Sequence, residues 1–239
     1  MSASAVETIR LGSERARTST WRGDRAIALI VPAHGSPIMS GDFVRHCVDT
    51  LASRGFRRAI TGALAPLEQV GFLAAGFDVE ETLVLLRADI RSALPPPPAG
   101  FRLRRARRWR HGEVLAIDAA AFAEFWRFDE LGLSDALRAT PGVRFRMALG
   151  KRRRAVGYAV SGRAGTRGFV QRLAVHPDAQ GTGTGRRLLL DGMRWMQHGG
   201  ADEAYVNTQP GNTAALTLYL SAGFQEEPMG LSVLSASLN

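Results

Sequence analysis

The chain has 239 residues, 45% of them apolar, and a formal charge of +9 carried almost wholly by arginine. That length suffices for one good core or two small ones, and a field of that sign attracts anions without choosing among them. A lone cysteine, Cys47, excludes an intrachain disulfide, no apolar run reaches membrane-spanning length, and the opening MSASAVETIR lacks the apolar core of a secretory signal, so a protein of the reducing cytoplasm is expected.

In chain order, the pattern predicts a strand at 26–31, a loop, a helix at 42–54, a strand at 58–63, a helix at 66–75 and a strand at 79–88. Pro95-Pro96-Pro97-Pro98-Ala99-Gly100 then marks a stiff, extended spacer. The expected organisation is an N-terminal half at 1–94, a linker at 95–100 and a C-terminal domain at 101–239. The C-terminal part predicts a strand at 101–108, helices at 111–126 and 130–139, and strands at 143–149 and 154–161 around the basic turn Lys151-Arg152-Arg153-Arg154. A strand at 169–175, a glycine-rich loop at 180–185 and a helix at 185–198 follow, then a strand at 203–208, a helix at 212–222 and a strand at 231–237. Antiparallel strands first and β-loop-α-β-α second give a mixed α/β sheet.

The two parts resemble each other. A shift of 144 residues places Val31 on Val175, Gly41 on Gly185 and Gly55 on Gly199. A shift of 147 places Phe72 on Tyr219 and Ala75-Gly76-Phe77 on Ala222-Gly223-Phe224. Chance similarity between two Ala/Gly/Arg-rich segments is the bland explanation. The shared element order over roughly fifty residues favours duplication.

The strongest chemical signal is Leu173-Ala174-Val175-His176-Pro177-Asp178-Ala179-Gln180-Gly181-Thr182-Gly183-Thr184-Gly185 before an amphipathic helix. Unpaired N–H groups and the dipole at a helix start favour an anion, and glycine lets backbone approach a phosphate closely. The spacing is not that of the dinucleotide fingerprint, and the nucleoside-triphosphate loop's Gly-Lys-Ser/Thr ending is absent.

Gln180-x-x-Gly183-x-Gly185 after Ala-Val-His-Pro resembles the cofactor motif of the GNAT superfamily of acyl-CoA N-acyltransferases. Asn212-Thr-Ala-Ala-Leu-Thr-Leu-Tyr219-Leu-Ser-Ala-Gly-Phe224 resembles a second segment of the same family. The resemblance covers 101–239, with its motifs in 169–224. It implies a mixed, mostly antiparallel sheet with a splayed parallel pair and flanking helices, preceded by a partial, degenerate copy.

It also implies residue roles. Backbone N–H groups of Gln180, Gly181, Thr182, Gly183, Thr184 and Gly185 would hold the pyrophosphate of acetyl-CoA. The strand around Leu173, Ala174 and Val175 would pair with the pantetheine arm, which Asn212 would also reach. Tyr219 would protonate the departing thiolate. No metal is implied, and His34, His46, His111 and His198 show no ligand spacing with Cys47. Each residue has a plainer use: Asn212 as a helix cap, Tyr219 as core, Gly223 as a helix-ending glycine, His176 as a turn residue.

A carboxylate base common in the family would fall at Phe169, and Gln171 and Arg172 on the same strand are poor bases. Glu124, Asp129 and Glu130 lie where the first two helices would overhang the acceptor, with solvated helix-end charge the favoured reading. In the N-terminal half the loop becomes Ser36-Pro37-Ile38-Met39-Ser40-Gly41 and the tyrosine becomes Phe72, so that half reads as silent toward cofactor.

The run Arg102-Leu103-Arg104-Arg105-Ala106-Arg107-Arg108-Trp109-Arg110 alternates like a half-buried strand edge, which disfavours a nucleic-acid surface. The expected function is an acetyl-CoA-dependent N-acetyltransferase acting on a primary amine. The alternative is a non-catalytic acyl-CoA sensor or an Arg-rich nucleic-acid module. No membrane partner is expected, and a homodimer is compatible with the sequence.

Overall fold

In a computed structural model, residues 6–33, 35–96, 98, 102–150 and 153–238 are described. The chain begins with three strands, β1 (Glu7–Leu11), β2 (Glu14–Trp21) and β3 (Asp24–Pro32), then α1 (Gly41–Ser53), β4 (Arg58–Thr61), α2 (Pro66–Ala74) and β5 (Asp78–Asp89). The middle of the chain forms β6 (Arg102–Arg105), α3 (His111–Ala121), α4 (Glu130–Arg138), β7 (Gly142–Leu149) and β8 (Ala155–Ala164). It ends with β9 (Arg167–Val175), α5 (Thr184–His198), β10 (Glu203–Thr208), α6 (Thr213–Ser221), β11 (Gln225–Glu226) and β12 (Leu231–Ser237).

Two compact units form. The first comprises Met1–Leu85, Gln209–Gly211 and Glu227–Asn239, and the second Leu86–Thr208 and Asn212–Glu226.

In the first unit the strand order is β1-β2-β3-β4-β12-β5. β3 and β4 run parallel, from Ile27↔Arg58 to Ile30↔Thr61. The chain's last strand, β12, is antiparallel to both β4 and β5. Its Leu234 joins a core with Phe43, Val44, Cys47 and Leu51 of α1 and Phe72 of α2. That spacing on α1 is the i, i+4, i+8 face of an amphipathic helix.

In the second unit β6, β7, β8 and β9 are consecutive antiparallel neighbours, and β9 runs parallel to β10. Val114 and Ile117 of α3 and Leu133 of α4 pack with Met147, Tyr158, Val160 and Ala174. Leu188 of α5 packs with Ala148, Ala159 and Leu173, which alternate with that set along the strands. One face of this sheet therefore carries α3 and α4 and the other carries α5.

The two segments matched by the 147-residue shift have similar geometry in their units. Phe224 N–H donates to Tyr219 O at 3.1 Å, and Phe77 N–H donates to Phe72 O at 3.1 Å. Gly223 and Gly76, one residue before each phenylalanine, have φ of +95° and +86°. That left-handed step ends the helix and folds the phenylalanine back onto it. The ring centroids are 5.8 Å apart for Tyr219 and Phe224 and 5.2 Å for Phe72 and Phe77.

Some elements differ from the expected ones. The strand expected at 101–108 covers Arg102–Arg105, with a 3-10 turn at Arg108–Arg110; Phe101 lies outside the described residues. The helix expected at 111–126 stops at Ala121 because Phe122 is extended, at φ −121° and ψ 151°. A separate 3-10 turn follows at Glu124–Trp126. The β1–β2 hairpin was not anticipated, nor was β11. Of the proline spacer, residues 97, 99 and 100 lie outside the described residues, as do His34, Lys151 and Arg152.

Candidate functional site

β9 and β10 part company early. Their register runs from Arg167↔Glu203 through Phe169↔Tyr205 and ends there, although β9 continues to Val175 and β10 to Thr208. On its other edge, β9 changes register against β8 between Ser161↔Val170 and Val160↔Arg172. Gln171 is the extra residue of a bulge. A bulge bends its strand and adds twist, and it lies two residues past the last rung shared with β10. The stretch holding Leu173, Ala174 and Val175 thus has β8 along one edge and a parted neighbour along the other.

The strand runs into the glycine loop. Pro177–Ala179 form a 3-10 turn, with His176 accepting from Asp178 N–H through Nδ1. Gln180 Nε2 donates to Val175 O at 3.2 Å. Thr182 Oγ1 bonds Ala179 O at 2.5 Å and lies 2.9 Å from Thr184 Oγ1.

Gly181 and Gly183 have φ of +71° and +80°, and among the described residues no atom beyond their own chain neighbours lies closer than 4.0 Å to where their Cβ atoms would stand. Gly185 is closely packed instead: its Cβ would come within 3.3 Å of Leu218 Cδ2 and 3.6 Å of Val175 Cγ2. The first N–H of α5 with a backbone acceptor is that of Arg187, which bonds Gly183 O at 3.0 Å. The donors upstream point from a helix start with no side-chain cap, an arrangement that suits a phosphate. The glycine cradle fits the pyrophosphate of acetyl-CoA, the substrate that the motif implies.

Asn212 caps α6, its Oδ1 accepting from Ala215 N–H at 3.1 Å. Tyr219 is the one buried residue of α6. Its hydroxyl has no hydrogen-bond partner among the described residues. Burial pushes the phenol up to about 12, and the charge of Arg172 acts in the opposite sense. Phe169 carries no base; its ring stacks on Tyr205 with centroids 6.0 Å apart. Glu203, also on β10, is held below the usual carboxylate range, chiefly by the hydrogen bond from Tyr205 and also by Arg87.

Asp118 and Tyr158 had no role in the sequence reading, and Arg172 was set aside there as a poor base. Arg172, next to the bulge, donates to Asp118 through Nε at 2.8 Å and Nη2 at 2.9 Å. Asp118 is fully buried, and it also accepts from Tyr158 OH at 2.5 Å and Phe128 N–H at 2.6 Å. The Tyr158 phenol is driven upward by burial and then by the adjacent carboxylate. A second bond from Arg172 Nη2 reaches Trp126 O at 2.7 Å. The guanidinium carbon lies 3.4 Å from the Phe122 ring centroid and 4.1 Å from that of Phe128. The signal in the sequence was a carboxylate on the apolar face of a helix, four residues after Val114. Of the overhanging acids, Asp129 caps α4 through Gly132 N–H.

Among the described residues, no three His, Cys, Asp or Glu side chains are grouped as metal ligands, and no helix is long and apolar enough to cross a membrane.

An open, mostly antiparallel sheet with one parallel pair splayed beside a glycine-lined helix start is the architecture of the acyl-CoA N-acyltransferase class. Residues 109–224 match the model of the Acetyltransferase (GNAT) family, which places a GNAT acetyltransferase domain in that segment. Over 174 residues the chain is 33% identical to a mycothiol acetyltransferase of Thermobispora bispora, covering 64% of this chain and 57% of that protein. A mycothiol acetyltransferase of Saccharomonospora viridis is 32% identical over 162 residues, covering 61% and 53%. The chain therefore spans little more than half the length of these relatives. A solved tandem GNAT protein from the clavulanic acid biosynthesis pathway matches 99% of this chain and 84% of its own, with a TM-score of 0.70 at 14% identity. A GCN5-related N-acetyltransferase from Sphaerobacter thermophilus matches 95% and 77%, with a TM-score of 0.65 at 15% identity.

Proposed function

We propose that this protein transfers an acetyl group from acetyl-CoA to a primary amine, using the second unit alone. The observation that carries the reading is the parting of β9 from β10 after Phe169, directly upstream of the glycine loop that opens α5. An amide-bearing pantetheine arm can take the place of the absent strand neighbour along Leu173 and Val175. The pyrophosphate then meets the N–H groups of residues 180–185, and Asn212 retains its amide nitrogen for the same arm.

The chemistry is direct. The amine lone pair attacks the thioester carbonyl, forming the C–N bond and an oxyanion that a strand N–H stabilises. Collapse breaks the C–S bond, and the thiolate takes the Tyr219 proton. The surplus proton on the new amide nitrogen passes to water or to another carboxylate, because Phe169 occupies the position of a strand carboxylate, and solvent returns a proton to the Tyr219 phenolate. Phe72 stands where Tyr219 stands and Pro37 lies in the counterpart of the loop, so the first unit lacks both the acid and the cradle.

The test is calorimetry with acetyl-CoA, then free-thiol release with a panel of primary amines that includes the acceptor of the mycothiol acetyltransferases. Binding with amine-dependent thiol release is expected. Absence of binding overturns the reading, and binding without release by any amine replaces it with an acyl-CoA sensor.

A further inference from the structure

We propose that Asp118 and Arg172 form a clamp that shapes the acceptor side of the site, making Arg172 a positioning residue of the transfer reaction. The proposal rests on the acyltransfer reading above. Arg172 rises from the stretch of β9 that has lost β10, where the ladder no longer fixes both edges of the strand. Ala174 of that stretch packs on Val114 and Ile117 of α3 and Leu133 of α4, and Arg172 adds polar ties to α3 and to the segment that follows it. Its guanidinium holds Asp118 of α3 with two bonds, takes the Trp126 carbonyl with a third, and lies between Phe122 and Phe128. Asp118 in turn fixes the far end of the connection through Phe128 N–H. The whole segment 122–128 is thereby referenced to the strand along which the thioester would lie.

Stability alone does not account for the pair. Burying a carboxylate and a guanidinium costs desolvation, and packed apolar residues of similar volume often do as well or better. Phe122 and Phe128 already supply apolar partners. What a methionine or lysine could not supply is the planar fork that sets both distance and orientation. Arg172 is also the charge that opposes the burial shift of Tyr219, which places it electrostatically within reach of the proposed acid.

The experiment uses the full chain carrying Arg172→Lys, and separately the neutral pair Asp118→Asn with Arg172→Met, which leaves no buried charge unpaired. The acceptor is the amine found by thiol release with the wild-type protein. Expected are an acetyl-CoA Kd within about twofold of wild type and an acceptor KM raised about tenfold to a hundredfold, with kcat changed less. Amide hydrogen exchange over 122–128 should quicken in both variants. A purely structural role would lower Tm and the active fraction while leaving the acceptor KM of the folded enzyme alone, and that result overturns the clamp, as does unchanged exchange. Failure of the wild-type protein to bind acetyl-CoA sinks the functional reading instead, and the exchange measurement then still decides whether the pair holds the segment.

Discussion

The carboxylate of Glu14 accepts from both the backbone N–H of Ser40, at 2.5 Å, and its hydroxyl, at 2.8 Å. Ser40 is the N-cap of α1, its Oγ accepting from Phe43 N–H. The α1 start, the counterpart of the proposed pyrophosphate site under the 144-residue shift, is thus closed by the protein's own acid, where α5 begins at an uncapped glycine. Met39 is buried beside it, and its carbonyl would lie 1.9 Å from a Cβ on Gly71. One acetyl-CoA should bind per chain. Calorimetric titration measures this directly, and two equivalents would show the first unit to be a working site.

Gly183 and Gly185 should respond differently to substitution. Valine at 183 must adopt φ near +80°, a conformation that costs a β-branched residue about 1–3 kcal/mol, and it holds a phosphate off the loop. Gly183→Val should lose acetyl-CoA affinity by more than tenfold, roughly 1.4 kcal/mol, with Tm falling only a few degrees. Gly185→Ala asks only that the flexible Leu218 end give way at 3.3 Å, so its binding defect should be smaller. Equal affinities for Gly183→Val and wild type, measured by calorimetry, would remove the loop from the site.

The candidate site is legible in the sequence to the extent that it is built from local signals. A glycine loop opening a helix and a tyrosine five residues before a phenylalanine are short-range patterns, and residues 72–77 share the glycine turn of the second at Gly76. What escaped was long-range pairing. The strand 231–237 is readable as a strand, but nothing in its composition says that Val233 lies opposite Glu81 and Ser235 opposite Ile60. The β1–β2 hairpin was hidden because Glu, Arg and Thr alternate there with few large apolar residues. Asp118 and Arg172 lie 54 residues apart, and only their joint burial makes either meaningful.

Acid should loosen β12 through Glu80. This carboxyl is held below its usual value of 4.5 by a hydrogen bond from Ser235, partly offset by burial, and by Arg58. Ser235 Oγ donates to it at 2.8 Å, and Arg58 pairs with the same oxygen. A depressed carboxyl contributes stability fully present above its unfolded value, lost as pH falls through the folded one. Below about pH 4.5 the wild type should therefore lose a margin that Glu80→Gln lacks at every pH. Denaturant midpoints of the two proteins should differ at pH 7 and converge toward pH 3; a constant gap would exclude the ionised pair.

Tyr219 should act as the acid of the reaction. Its phenol, pushed up to about 12 by burial, stays protonated across the working range of pH. Its hydroxyl has no partner among the described residues that would hold the proton elsewhere. A thiolate with a conjugate-acid pKa of about 8.5 needs only modest help to depart, so removal of the hydroxyl should slow turnover without abolishing it. General acid catalysis is worth roughly 10²–10⁴-fold, and Tyr219→Phe should fall within or somewhat below that range. The ring should still pack against Phe224 as Phe72 packs against Phe77, so acetyl-CoA affinity and Tm should stay near wild type. The measurement is kcat for Tyr219→Phe with an acceptor amine, beside its acetyl-CoA Kd. A wild-type kcat would remove the acid role, and a parallel collapse of affinity would assign the ring to cofactor packing instead.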